Sequence, residues 1–380
     1  MEEGKISGID LINAVDEKIR GIRTTSLDIS FNELLDMYED GELIIDPEYQ
    51  RLFRWSEGKQ SRFIESLLLE LPLPPIFVIE LEDGKYELID GLQRISSYLH
   101  FRGVNHEMVE ENNMLCELKL TECDIVDDLN NLTYQNLPAA LKLKLKRNFI
   151  RVEVLRKESD PRLRYYMFKR LNTGGEELSD QEIRNCTIRL LDDTFNKFLI
   201  ELSKNEDFKK CISTLTEEKT KQKYEQELVL RFFAFKNYRD RFTHDVRDFM
   251  TEYMEAVSDP DREDAPFDYS KEQSIFENTF KILQKTLDDH AFSRVNEKGT
   301  LVAGFVVYHY EAFTLGIQKY LSVVDLFGDD ITKMCDEFLL IKKDPEFRKI
   351  TTGGGKNTPG ALKKRIEFVE RRLETLYGSR

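Results

Sequence analysis

The pattern that most limits the possible folds lies in residues 76 to 101. Two β-rich runs flank a tight turn there, and a helix follows the second run. Ile76–Leu81 and Lys85–Ile89 are rich in β-branched and aromatic residues, and Asp83-Gly84 between them is a strong hairpin signal. The second run continues into Asp-Gly-Leu-Gln-Arg at 90–94, and a helical pattern begins at Ile95. The chain is therefore predicted to form a hairpin whose second strand passes directly into a helix.

The other predicted strands are far apart in the sequence. They are "TSLDIS" at 25–30, "CELKL" at 116–120 and "FIRVEVL" at 149–155. Helical patterns follow the candidate cap residues Ser30 and Ser56, and another runs from Pro138 to Arg147. The fold class predicted for this half is α+β, with a small mixed sheet built from non-contiguous strands.

The pattern changes after residue 178. Ser179 and Glu182 have the spacing of a capping box, which marks the start of a helix. Amphipathic helical runs then follow at roughly 224–238, 246–257, 271–292, 300–321, 330–342 and 360–377. We predict two domains, an α+β domain over 1–178 and an all-helical C-terminal domain over 179–380.

Composition is typical of a soluble globular protein. The 380 residues are 40% hydrophobic and 33% charged, and the longest weakly polar run, Leu301–Tyr310, is too short to span a membrane. The N-terminus has no secretory pattern, and the five cysteines form no C-x-x-C pair. We therefore expect reduced cysteines, a cytoplasmic location and no membrane partner.

The net charge of −15 limits how this protein can bind nucleic acid. A protein that coats DNA by charge alone is usually basic, so any DNA contact here must use a local basic patch. Two stretches are candidates, Lys142–Lys157 and Lys363–Arg372. The alternative interpretation is that both are solvated faces.

The junction Asp90-Gly91-Leu92-Gln93-Arg94 is the first candidate site. A helix N-terminus has unpaired N–H groups and a partial positive charge, so it attracts phosphates. Gly91 lets a ligand approach the backbone, and Arg94 in the first turn can grip phosphate oxygens. Asp90 can bind a metal-bound water or a ribose hydroxyl. The alternative is a surface turn with a solvated arginine.

Two further clusters carry groups suited to a nucleotide. In Tyr49-Gln50-Arg51, an aromatic residue beside an arginine can stack a base or hold a phosphate. Trp55 close behind is equally suited to anchoring the next helix in the core. The turn Asn172-Thr173-Gly174-Gly175 follows the strand-rich half, and Asn172 can bond a ribose or a base. We predict that this turn closes over the nucleotide held at 90–94.

The sequence lacks the motifs of several kinds of catalytic site. There is no H-E-x-x-H, no G-x-S-x-G and no paired-cysteine zinc site, and no two histidines have metal-ligand spacing. "TTGGGKNTPG" at 351–360 resembles a phosphate-binding loop only in composition, because Asn357 follows Lys356. For the metal site of a nuclease, the one carboxylate pair to nominate is Asp90 with Glu65.

The motifs occur in a recognisable order. A Pro-x-Tyr-Gln-Arg segment precedes Trp55 and is followed by "LPPIFVIE", "YELIDGLQR" and "FKRLNTGGEELSDQEIRN". In this order they resemble the N-terminal domain of GmrSD-type restriction enzymes, in the wider ParB/sulfiredoxin-like superfamily. The resemblance covers about residues 25 to 195. The family's usual motif is Asp-Gly-Gln-Gln-Arg, and Leu92 stands at its third position here.

The resemblance implies a nucleotide site, with hydrolysis of a nucleoside triphosphate in several members and a role in defence against foreign or modified DNA. Asp90 and Arg94 are the candidate catalytic groups, and Asp90 is the candidate metal ligand. Mg²⁺ is the expected cofactor because it neutralises charge between phosphates. The candidate nucleotide-binding residues are Tyr49, Gln50, Arg51, Gly91, Gln93, Arg94, Asn172, Thr173 and Gly174.

Three functions stay open from the sequence. The leading one is nucleotide binding and hydrolysis coupled to DNA recognition, with DNA bound through local basic patches. The second is a DNA nuclease that uses the same domain. The third is a non-catalytic sensor or scaffold that regulates a partner effector protein. Two-component family members carry a C-terminal HNH nuclease domain, and none is recognisable in this sequence.

Overall fold

A computed structural model describes residues 8–45, 53–104, 117–172, 179–296 and 298–378. The chain divides into two compact units, Met1–Leu178 and Ser179–Arg380. Within the described ranges, every helix is too short or too polar to cross a bilayer.

The first unit combines helices with one sheet. Its helices are α1 (Gly8–Arg20), α2 (Phe31–Glu39), α3 (Glu57–Leu68), α4 (Leu92–Arg102), α5 (Ala139–Arg147) and α6 (Pro161–Asn172). Its strands are β1 (Thr24–Ser30), β2 (Leu43–Ile44), β3 (Ile76–Glu80), β4 (Tyr86–Asp90) and β5 (Phe149–Leu155). The predicted caps are confirmed, because the hydroxyls of Ser30 and Ser56 accept from Glu33 and Lys59 backbone amides.

The five strands form one mixed sheet in the order β1-β5-β3-β4-β2. β3 and β4 pair antiparallel as the predicted hairpin, with Gly84 at φ +82° in the turn. β5 lies parallel to β3 and antiparallel to β1, although almost 120 residues of sequence separate β5 from β1. The prediction of an α+β fold with a mixed sheet from non-contiguous strands is confirmed.

The strand predicted at 116–120 is wrong for its described part, 117–120. Leu118 and Leu120 are buried, as the alternation indicated. The Leu120 amide, however, donates to the Leu132 carbonyl, and the Leu120 carbonyl accepts from Asn131. This segment therefore pairs with a nearby loop and not with the sheet.

The second unit is helical apart from one small hairpin. Its helices are α7 (Asp180–Ile188), α8 (Thr194–Leu202), α9 (Glu206–Cys211), α10 (Glu217–Lys221), α11 (Tyr224–Asn237), α12 (Val246–Ser258), α13 (Tyr269–Leu287), α14 (Val307–Gly316), α15 (Asp330–Lys343), α16 (Pro345–Thr351) and α17 (Pro359–Tyr377). The capping box at Ser179 and Glu182 is confirmed.

The hairpin corrects the prediction of an all-helical domain. Strands β6 (Arg294–Val295) and β7 (Leu301–Val302) pair antiparallel. The Asn296 side chain closes their turn by accepting the Thr300 amide at 3.0 Å. Gly304 then takes φ +136°, so the helix predicted from 300 begins only at Val307.

Candidate functional site

The candidate site is the turn that joins β4 to α4. Gly91 is the N-cap residue of α4 and lies at φ +107°, a conformation that favours glycine. A Cβ atom at this position would lie 2.3 Å from Cγ2 of Ile76. Backbone conformation and close packing on β3 therefore require the glycine, which is a different reason from the ligand approach that the sequence suggested.

The start of α4 has no side-chain cap. The Ile95 amide makes the first intrahelical bond, to the Gly91 carbonyl at 3.0 Å, so the amides of residues 92–94 precede the ladder. Amides at a helix start can bind an anion. Leu92, at the position where the family usually has glutamine, is buried and supplies packing.

Arg94 holds the turn together. Its Nη2 atom pairs with Asp90 Oδ2 at 3.0 Å, and its Nη1 donates to the Pro75 carbonyl at 3.0 Å and to the Pro74 carbonyl. The Arg94 side chain is only 13% exposed, so the alternative of a solvated arginine is wrong. A guanidinium has five N–H groups. Within the described ranges these three bonds are the ones that Arg94 makes, and two of its N–H groups remain.

Gln93 connects the motif to the segment that follows Tyr49-Gln50-Arg51. Its Oε1 atom accepts the Arg54 amide at 3.0 Å and the Trp55 amide at 3.1 Å. A side-chain oxygen that binds two consecutive amides fixes the path of that segment. Gln93 therefore positions residues 53–55 beside the first turn of α4.

A buried polar chain that the sequence reasoning missed supports this arrangement. Gln60 is fully buried, its Nε2 donates to the Trp55 carbonyl at 2.8 Å, and its Oε1 lies 2.8 Å from His100 Nδ1. The Trp55 ring packs edge-on against Phe63, with 5.9 Å between ring centroids. Trp55 therefore anchors the start of α3 in the core, which is the structural alternative that the sequence offered for this residue. The missed signal was a glutamine on the apolar face of α3, three residues before Phe63.

The structure brings Asp90, Gly91, Gln93 and Arg94 together in this one turn. The other candidates lie outside the described residues, namely Tyr49, Gln50, Arg51, Thr173 and Gly174. Asn172 is the last residue of α6, and the position of its side chain is likewise outside the described part. The prediction that the 172–175 turn closes over a nucleotide stays a prediction.

Glu65, which the sequence suggested as a metal ligand, holds a loop in this structure. It is buried, and its carboxylate accepts the amides of Asp124, Ile125 and Val126 at 3.3, 3.1 and 2.7 Å. A carboxylate that binds three amides holds a loop and has little capacity left for a cation. Among the residues that the structure describes, no three His, Cys, Asp or Glu side chains group as a metal site.

Comparison with known proteins identifies the segment that contains the turn. Residues 31–189 match the family model described as GmrSD restriction endonuclease, N-terminal domain. Over these residues the chain is similar to that domain. No curated protein matches the chain. A solved Pnob8-like ParB-N domain is 14% identical, covers 91% of this chain and 98% of its own, and has a TM-score of 0.25, which supports no further argument.

The basic stretch Lys142–Lys157 lies within the matched residues 31–189, and most of its charge is neutralised there. Four of its cations face acids, in the pairs Lys144–Glu70 (3.4 Å), Arg151–Asp28 (3.0 Å), Arg156–Glu80 (3.0 Å) and Lys157–Glu82 (3.9 Å). Lys142 donates to the Gln135 carbonyl at 2.7 Å. In the described part of the chain, Lys146 and Arg147 have no ion-pair partner.

The second basic stretch, Lys363–Arg372, belongs to α17 and is also paired. Lys363 and Arg371 face Glu367 and Glu346 at 3.7 and 3.8 Å, and Arg372 pairs with Glu337. Arg365 is buried against Glu311 at 2.9 Å. This stretch therefore offers little unpaired positive charge to DNA.

Proposed function

We propose that the GmrSD N-terminal domain of this chain binds a nucleoside triphosphate at the Asp90–Arg94 turn and hydrolyses it with Mg²⁺. We further propose that this activity is coupled to recognition of foreign or modified DNA in a restriction-like defence system. The observation that carries the proposal is the uncapped start of α4 with Arg94 fixed beside it. The name of the matching family, a restriction endonuclease domain, supports the defence role.

The turn has the groups that a phosphate requires. The amides of residues 92–94 lie at the positive end of the α4 dipole. Arg94 adds charge-assisted bonds through the two N–H groups that Asp90, Pro74 and Pro75 do not use. Because those three acceptors hold the guanidinium in place, little side-chain entropy is lost when a phosphate binds.

Asp90 is the one carboxylate that this turn can supply to a Mg²⁺ ion. Its Oδ2 atom pairs with Arg94, and its side chain is 31% exposed. Mg²⁺ commonly binds through one or two carboxylates together with substrate phosphates and waters. We therefore assign Asp90 as the protein's ligand to a Mg²⁺ that arrives with the nucleotide, where the ion would neutralise charge between phosphates.

The proposal is tested by titrating the full chain with ATP, GTP, CTP and UTP in the presence of Mg²⁺, and by measuring phosphate release with and without plasmid DNA. We expect one nucleotide to bind per chain and phosphate to be released. Failure of all four nucleotides to bind would overturn the proposal. Binding without release would favour the sensor function, and cleavage of the plasmid would favour the nuclease.

The ion pairs predict how salt will affect DNA binding. Replacing Lys144, Arg151 and Arg156 together by glutamine should leave the slope of log affinity against log salt unchanged, because acids already neutralise these cations. Each true phosphate contact would lower the slope by about 0.9. Filter binding at four salt concentrations measures it. A slope reduced by two or more units would show that this stretch binds DNA directly.

A further inference from the structure

Helix α1 has an apolar stripe that stays exposed. Leu11, Ile12, Val15 and Ile19 follow the helical period, and 51–61% of each is exposed. Asp16 borders one edge of this stripe and Lys18 the other, since successive residues are about 100° apart on a helix. We call these four apolar side chains the α1 stripe. A contiguous exposed apolar stripe on a helix is a candidate binding surface.

The same unit has an open apolar groove. It lies between α5, the start of β5 and the loop after α3, and its volume is about 840 Å³. Leu71, Leu143 and Phe149 line it and are 42%, 47% and 64% exposed. Arg147 lies on its rim without an ion-pair partner among the described residues. We call this feature the α5 groove.

The stripe and the groove match in polarity and charge. The stripe presents aliphatic side chains, and the groove presents Leu71, Leu143 and Phe149. Asp16 at the edge of the stripe is the complement of the rim cation Arg147. A helix with an apolar face placed in such a groove is a common mode of recognition.

Hydrogen bonds at the base of α1 keep the helix away from the groove of its own chain. The Gly21 carbonyl accepts the Asp160 amide at 3.0 Å, the Arg23 carbonyl accepts the Arg156 amide at 2.8 Å, and Ser159 Oγ accepts the Arg23 amide at 3.0 Å. They fix α1 at the end of the β1–β5 pair where Thr24 faces Leu155.

The α5 groove lies at the other end of this strand pair, where Ser30 faces Phe149. The two ends are six residue steps apart along the strand, which is about 20 Å. Insertion of α1 into its own groove would therefore break the bonds at its base. Insertion into the groove of a second copy breaks none of them.

We propose that this protein forms a symmetric dimer in which the α1 stripe of each copy occupies the α5 groove of the other. Two-fold symmetry makes the contact twice, which doubles the apolar area buried. Pairing of α1 with α1 alone is a poorer solution, because 13 residues span fewer than two heptads. A membrane surface is also a poorer partner, because interfacial helices are usually rich in Lys and Arg, whereas α1 has acidic Asp10, Asp16 and Glu17.

Light scattering and sedimentation of the full chain over a range of concentrations test the dimer. Ile12→Asp with Ile19→Asp should weaken dimerisation by at least about tenfold, and so should Leu143→Asp in the groove. Ile125→Asp is the matched control, because Ile125 is 62% exposed in the same unit and lies outside both surfaces. It should leave the dimer intact.

A charge exchange tests the pairing of the two surfaces. Asp16→Arg and Arg147→Asp should each weaken the dimer, and the two changes in one chain should restore it. Cross-linking adds a second readout. Copies with Val15→Cys and copies with Leu143→Cys, distinguished by tags and both carrying Cys116→Ser and Cys335→Ser, should form mixed cross-linked dimers.

Four results would overturn the proposal. The first is a wild-type chain that stays monomeric up to about 100 μM, where even a weak dimer of micromolar Kd forms. The second is a dimer that the α1 changes disrupt and Leu143→Asp does not. The third is an absence of mixed cross-linked dimers between Val15→Cys copies and Leu143→Cys copies when the wild-type chain is dimeric. The fourth is a monomer whose α1 binds vesicles of phosphatidylglycerol and phosphatidylcholine.

Discussion

Replacing Arg94 by alanine is expected to weaken nucleotide binding by roughly ten- to hundredfold. A hydrogen bond to a charged group contributes roughly 1.5–3 kcal/mol, and a tenfold change in affinity corresponds to about 1.4 kcal/mol. The change also removes the partner of Asp90 and the donor to Pro74 and Pro75. Calorimetric titration with the nucleotide that binds the wild-type chain best measures the loss.

One control variant and one fluorescence measurement separate loss of the ligand contact from loss of structure. Arg62→Ala removes a surface arginine of the same unit that pairs with Glu122 away from the turn, and it should bind nucleotide normally. Trp55, the single tryptophan, reports by fluorescence whether residues near the turn keep their fold. Wild-type affinity in folded Arg94→Ala would rule out this arginine as a phosphate ligand.

Gly91→Ala is expected to destabilise the first unit strongly. At φ +107° an alanine is strained by about 1–3 kcal/mol. Its Cβ would also lie 2.3 Å from Ile76 Cγ2, and overpacking of a core adds about 1–3 kcal/mol. We expect the free energy of unfolding, followed by Trp55 fluorescence in urea, to fall by at least roughly 2 kcal/mol.

Gly103→Ala at the other end of α4 is the matched control. Gly103 has φ +72° and no atom within 4 Å of an added Cβ. The Gly103→Ala change should therefore lower the free energy of unfolding only by the backbone strain of an alanine at positive φ, about 1–2 kcal/mol. Adding Ile76→Ala to Gly91→Ala should cost less than the sum of the single changes, because the clash disappears. Equal losses at Gly91 and Gly103 would contradict the packing explanation.

The sequence alone predicted the elements that depend on near neighbours. The β3–β4 hairpin, the start of α2 at Ser30, the start of α3 at Ser56 and the capping box at Ser179 all rest on contacts within a few residues. Turn chemistry and capping act over that range, so a local pattern is sufficient evidence. The family was also identifiable from the order of its motifs, and the match over residues 31–189 confirms it.

Tertiary structure decided what the residues of the turn do. Gly91 is required by Ile76, Arg94 is fixed by Pro74 and Pro75, and Gln93 binds amides 38 and 39 residues earlier. Glu65, nominated as a metal ligand, instead binds a loop 59 to 61 residues later. Most of the cations at 142–157 proved to be paired with acids from β1, β3 and the loops beside β3. None of these partners follows from spacing, because the sheet order that brings them together joins strands far apart in the chain.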